Sequence, residues 1–140
     1  MGEEKKVVID TNIFISGFGW DAKPAEILKL LKQRRIINYI SIDILNELKR
    51  VVSYQKLKFS DLLQNRILEF VFFYSEIVEP TQHISPITKD PDDNKFLECA
   101  MAAGAEFIIS GDPHLINVIE YNAVKIVSAA TFLNLVLKSH

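Results

Sequence analysis

The stretch Val7-Val8-Ile9-Asp10-Thr11-Asn12 constrains the fold of this chain more than any other. Three β-branched apolar residues end abruptly in an acid, a hydroxyl and an amide. A run of this kind suits a strand buried on both faces, as in a parallel sheet. In an open parallel sheet, ligands bind just beyond the carboxyl ends of the strands. Asp10 would be the first residue to emerge at that edge. An acid directly after a buried run is costly to keep charged unless something partners it.

The remainder of the chain supplies further strands and the helices between them. Residues 16–21 hold two glycines and no periodicity, so they read as a loop. Pro24 suits a first helical turn, and Ala25, Ile27, Leu28, Leu30 and Leu31 form an apolar helical stripe that runs into Arg34-Arg35. Residues 36–41 are strand-like. Ser41 or Asp43 can cap the next helix, which carries Ile44, Leu45, Leu48, Val51 and Val52 on one side. After a polar, basic connection over 54–59, Ser60 opens an amphipathic helix with Leu63, Ile67, Phe70, Val71 and Tyr74 at helical intervals.

Ile77-Val78 is a short strand, and residues 80–87 form a loop. Asp90-Pro91-Asp92-Asp93 makes an acidic helix start, with Phe96, Leu97, Ala100 and Met101 inward and Gly104 as the stop. A strand over 106–110, a short helix with Leu115, Ile116 and Ile119, a strand over 124–127 and a Ser128-capped helix complete the chain. Such alternation predicts an α/β fold in which a parallel sheet is covered by helices on both faces. At 140 residues, the expectation is one domain spanning 1–140.

Composition narrows the function classes. An apolar fraction of 49% with 24% charged residues is globular and excludes wholesale disorder. No apolar run approaches the roughly 20 residues of a membrane span, and residues 1–6 hold no apolar signal segment. The lone Cys99 fits a reducing, cytoplasmic setting and reads as an inert core residue. Net charge is −2, but ten bases face four acids from Lys23 to Arg66, and four bases face ten acids beyond. One half is suited to an anion and the other to cations.

Four acids then fall at the functional edge of this layout. Asp10 follows the first strand and Glu47 lies one turn into the helix after the second. Asp93 opens the helix before the fourth strand, and Asp112 follows that strand. Helix capping alone would also account for Asp93 or Asp112, and Glu47 alone would pass for a solvated helix residue. Together, however, one carboxylate pair at roughly 4 Å and an effective dielectric near 20 costs about 4 kcal/mol. The cluster must take up protons or bind a cation. Oxygen ligands without a supporting Cys or His cluster favour Mg²⁺ or Mn²⁺, and the chemistry expected is metal-assisted phosphodiester hydrolysis.

The ordered set of residues 7–12, Glu47, Asp93-Asn94-Lys95-Phe96-Leu97-Glu98-Cys99-Ala100 and Ile108-Ile109-Ser110-Gly111-Asp112 resembles the PIN domain. The likeness covers essentially the whole chain and is nearest to the small prokaryotic, VapC-like toxin ribonucleases. It implies a three-layer α/β/α sandwich with strand order 3-2-1-4-5 and a Mg²⁺- or Mn²⁺-dependent ribonuclease. It further implies a role as the toxin of a toxin–antitoxin pair, with an antitoxin protein as partner, and a homodimer. Carried over by residue, the catalytic and metal-holding quartet is Asp10, Glu47, Asp93 and Asp112. Asn12 and Ser110 match polar positions that steady the first acid. Asp90 and Asp92 crowd the third acid; helix phase and Phe96-Leu97 favour Asp93 over Asp92.

Arg34, Arg35, Lys49, Arg50, Lys56 and Lys58 are candidates for gripping the RNA backbone. Phe18 or Trp20 could stack on an unpaired base, although loop aromatics more often pack locally. His114 reads as a solvent-facing helix residue rather than a general acid. A phosphoryl-accepting receiver domain would want a paired acid before the first strand-end Asp and a lysine after a late strand, and this chain has neither. An RNA-processing nuclease, or an RNA-binding module without catalysis, would keep the same fold.

Overall fold

The apolar run at the start forms β1 (Lys5–Ile9), with Val7, Val8 and Ile9 sealed from solvent. A computed structural model describes residues 4–82 and 93–138 of the chain, the last two by backbone alone. On one side of β1 lies β2 (Ile36–Ile40), followed by β3 (Ser75–Ile77); on the other lie β4 (Phe107–Ile109) and β6 (Val124–Val127). These pairings are all parallel, with Val8 opposite Ile108 and Val7 opposite Asn38. The expected order 3-2-1-4-5 is present, with one addition. A two-residue strand, β5 (Glu120–Tyr121), pairs antiparallel on the outside of β6, giving β3-β2-β1-β4-β6-β5. Asn122 and Ala123 make its turn in the left-handed region, at φ 48° and 70°. Two residues carry too little alternation to announce a strand.

Residues 16–21, expected as a loop, mostly belong to a helix. α1 runs over Thr11–Gly19 and is capped by Asp10. Gly17 does not break it, because the glycine serves packing rather than a turn. A Cβ there would lie 2.7 Å from Leu28 Cδ1 and 3.1 Å from the Pro24 backbone, so its absence lets α1 lie close on α2 (Ala22–Lys32).

Ser41 caps α3 (Ile42–Val52) by accepting the Ile44 N–H at 3.2 Å, while Asp43 stays exposed in the first turn. A 3₁₀ turn over Gln55–Leu57 interrupts the basic connection. Ser60 caps α4 (Asp61–Tyr74), on which Ile67 and Val71 are buried and Leu63, Phe70 and Tyr74 half-buried. α5 (Asn94–Ala103) buries Phe96, Leu97, Cys99 and Ala100, leaves Met101 half-buried and stops at Gly104 with φ 66°. α6 (Pro113–Ile116) ends before Ile119, which is exposed rather than inward, and Ser128 caps α7 (Ala129–Lys138).

Helices flank the parallel sheet. Much of the expected 80–87 loop, with Asp90 and Asp92, lies outside the described residues. Among the described residues, no helix is long and apolar enough to cross a membrane.

Asn38 is the one polar residue at a buried position of β2, between Ile36 and Ile40. Its Oδ1 accepts the Ile9 N–H at 2.8 Å and its Nδ2 donates to Ser75 Oγ at 2.8 Å. The amide thereby fastens β1 and β3 to β2 directly beneath the carboxyl edge. Each such bond contributes about 1 kcal/mol net, and an orphaned buried donor costs more.

Candidate active site

Because β1 and β4 are parallel neighbours, the residues that follow them emerge side by side. Asp10 is 4% exposed, and its N–H donates to the Ile109 carbonyl at 2.9 Å. Ser110, fully buried, donates its hydroxyl to Asp10 Oδ2 at 2.6 Å and accepts the Asp112 N–H at 2.9 Å. Asn12 approaches Asp10 Oδ1 through its backbone N–H at 3.4 Å, while its side chain is exposed. Asp112 caps α6 by accepting the His114 N–H at 2.9 Å.

Burial pushes the Asp10 carboxyl up from 3.8 to about 6. The hydrogen bonds from Ser110 and Asn12 pull it down, and the charges of Glu47 and Asp112 push it further up. Desolvation of the charged form outweighs both bonds.

Asp93 sits at the start of α5 and is 7% exposed. Asp93, Asp112 and His114 each offer one ligand atom, and these atoms lie within 4.8 Å of one another. His114 is exposed, as expected, yet it reaches this group, with Nδ1 3.9 Å from Asp112 Oδ1. Asn94 Oδ1, buried on the first turn of α5, has no hydrogen-bond partner among the described residues. Two carboxylates and an imidazole this close together could hold a divalent metal ion.

Glu47 is held differently. Thr11 Oγ1 donates to its Oε2 at 2.6 Å, and Lys95 Nζ lies 2.5 Å from its Oε1. Both side chains of the ion pair are mostly buried, at 16% and 17% exposure, and the ammonium also lies 5.7 Å from the Phe96 ring. Neither Thr11 nor Lys95 was among the residues expected from sequence. Thr11 follows Asp10 and Lys95 lies two positions after Asp93, but only the fold brings them to Glu47.

The six candidate cations are all exposed, and they separate into two groups. Arg34 and Arg35 lie just before β2, at the amino edge of the sheet, opposite the acids. There Arg34 caps the Tyr74 and Phe73 rings at 5.3 and 5.7 Å. Helix polarity rather than charge decides this: α2 must return to the bottom of the sheet before β2 can begin, so the cations at its end go with it. Lys49 and Arg50 close α3, Lys56 lies within the 3₁₀ turn and Lys58 follows it. Phe18 packs edge-on against Phe70 at 5.2 Å, whereas Trp20 is 67% exposed beside Phe59. Cys99 is buried, and its thiol is pushed up to about 12 by that burial.

Residues 6–114 match the PIN domain, most of the chain. The chain is also similar to an uncharacterized protein of Methanocaldococcus jannaschii, MJ1680. The two are 37% identical over 121 residues, which cover 84% of this chain and 77% of that protein. PIN domains are generally nucleases, and they typically use divalent metals. This chain belongs to the PIN domain family.

Proposed function

We propose that this chain is a Mg²⁺- or Mn²⁺-dependent ribonuclease and the toxin of a toxin–antitoxin pair acting in the cytoplasm. The observation that carries the reading is that Asp93 and Asp112 offer ligand atoms close together, with Asp10 tied to the same edge through Ser110. Ser110 links Asp10 to the Asp112 backbone, and Asp112 lies within ligand distance of Asp93. Asp10, Asp93 and Asp112 hold the metal, with Glu47 as the fourth acid of the edge. When bound, the ion supplies charge neutralisation at the phosphoryl oxygens and a more acidic water.

The chain's own groups prepare that site. Ser110 pins Asp10 Oδ2 at 2.6 Å, and among the described residues Oδ1 has only the long contact to Asn12, which leaves it available to a cation. Lys49, Arg50, Lys56 and Lys58 take RNA phosphates on the exposed surface between α3 and α4, and Trp20 offers a stacking face. The toxin role, and with it an antitoxin partner, rests on the likeness of the motifs to the VapC-like branch. A homodimer is supported by one stripe of α4. Leu62, Arg66, Glu69 and Phe73 are exposed at 4-3-4 spacing. An antiparallel two-fold pairing would set Leu62 against Phe73 and Arg66 against Glu69.

Cleavage of end-labelled RNA tests the reading. We expect cutting in Mg²⁺ or Mn²⁺ that stops in EDTA, resumes when metal is restored and leaves 5′-phosphate and 3′-hydroxyl ends. Cutting that persists in EDTA would overturn it.

A further inference from the structure

We propose that Glu47 is a positioning residue for Lys95 rather than a metal ligand, and that Lys95 offers its ammonium to an RNA phosphate at the acid edge; this rests on the nuclease reading above. Both carboxylate oxygens of Glu47 are engaged by protein groups, one by the Thr11 hydroxyl of α1 and the other by the Lys95 ammonium of α5. A divalent ion at Glu47 would have to displace or repel a cation only 2.5 Å away.

The placement of Lys95 is not explained by the helix that carries it. It occupies the first turn of α5, where the helix dipole disfavours a cation. Lysine stems usually lie along the surface with the ammonium in water, yet this side chain is 16% exposed and turned onto Glu47 beside the Phe96 ring. Something other than helix stability accounts for turning it onto Glu47, one of the candidate acids. An ammonium has three donors. With one directed at Glu47, others remain for a non-bridging phosphate oxygen. RNA arriving at an edge lined with carboxylates meets like charge, and a fixed ammonium offsets that repulsion where it is greatest. Glu47 and Thr11 keep the ammonium in one place, as a positioned cation rather than a diffuse one.

Two measurements on the full chain test this. Calorimetric titration with Mn²⁺ compares wild type, Glu47→Gln and Asp112→Asn. We expect Glu47→Gln to bind Mn²⁺ within about twofold of wild type and Asp112→Asn at least about tenfold more weakly, because only the latter removes a ligand. Cleavage kinetics in Mn²⁺ across a salt series then compare wild type, Lys95→Met and Lys95→Arg. We expect Lys95→Met to raise KM more than it lowers kcat and to reduce the slope of log(1/KM) against log salt by about 0.7, the value of one single-strand phosphate contact. Lys95→Arg keeps the charge and should restore both, which separates a lost phosphate contact from a damaged fold. Glu47→Gln should raise KM as well, with little further rise when Lys95→Met is added. A tenfold loss of Mn²⁺ affinity in Glu47→Gln, or an unchanged salt slope in Lys95→Met, would overturn the assignment while leaving the nuclease reading intact. Wild type that neither binds Mn²⁺ nor cleaves RNA would overturn both.

Discussion

The Ser110 hydroxyl donates to Asp10 at 2.6 Å across a hundred positions of sequence, and the same oxygen accepts the Asp112 N–H at 2.9 Å. One buried side chain therefore ties two acids of the site together. Ser110→Ala removes a bond that lowers the Asp10 pKa, leaving burial unopposed from that side. The carboxyl should then titrate above about 6, and the acid limb of the pH–rate profile in Mn²⁺ should move to higher pH. Stability should fall by about 1–3 kcal/mol in urea unfolding, since the Asp112 N–H loses its acceptor. An unmoved acid limb would count against the link.

Asp10 also sets a pH dependence of folding in metal-free buffer. Its folded pKa is raised, to about 6 from 3.8, so the folded state binds the proton more tightly than the unfolded chain. The associated stability is fully present below the unfolded value and is lost as pH rises through about 6. The gap is worth about 3 kcal/mol at about 1.4 kcal/mol per pKa unit. In EDTA, Asp10→Asn should gain on wild type progressively from about pH 4 to pH 7 in urea unfolding. Saturating Mn²⁺ at pH 7.5 should reverse the ranking, because an ion stabilises the charged carboxylate that the amide lacks.

Asn38 makes a prediction about the frame beneath the site. Asn38→Leu keeps the size but orphans the Ile9 N–H and removes the link to Ser75. The expected cost is about 1–3 kcal/mol, accompanied by faster hydrogen exchange at the Ile9 amide than in wild type. Unchanged exchange would mean that the Ile9 amide is protected by other means.

Gly17 sets two effects against each other. Alanine gains about 1 kcal/mol of helix propensity in α1, but its Cβ would meet Leu28 Cδ1 at 2.7 Å and the Pro24 backbone at 3.1 Å. The leucine methyl can swing away and the proline backbone cannot. Overpacking of this kind costs about 1–3 kcal/mol, so Gly17→Ala should be net destabilising. Adding Leu28→Ala should cost less than the sum of the two changes, as measured by urea unfolding. Strict additivity would place the clash elsewhere.

What could be read in the sequence depended on how local the causes are. Val7–Ile9 and Phe107–Ile109 announce themselves as strands because both faces are apolar, and the residue after each strand is fixed by chain order. Asp10, Ser110 and Asp112 thus fall at the edge without knowledge of any contact. α1 was hidden because Gly17 and Gly19 look like loop residues, and the reason for Gly17 lies in a neighbouring helix. Thr11 and Lys95 could not be tied to Glu47, since those contacts cross long stretches of chain, 36 positions in the case of Thr11. Arg34 and Arg35 show the converse error. Charge drew attention to them, while the direction of α2 carries them to the edge opposite the acids. Asn38 was within reach of sequence reasoning, as a polar residue at a buried position of an alternating strand.

Asp10→Asn, assayed for RNA cleavage in Mn²⁺ at pH 7.5, tests the central claim most directly. The substitution keeps an N-cap residue at the start of α1 and removes the charge at the centre of the site. We expect kcat/KM to fall at least about 100-fold, beyond the 10- to 100-fold typical of losing an outer partner, with the unfolding transition in EDTA as high as that of wild type or higher. Cleavage by Asp10→Asn at the wild-type rate would contradict the account.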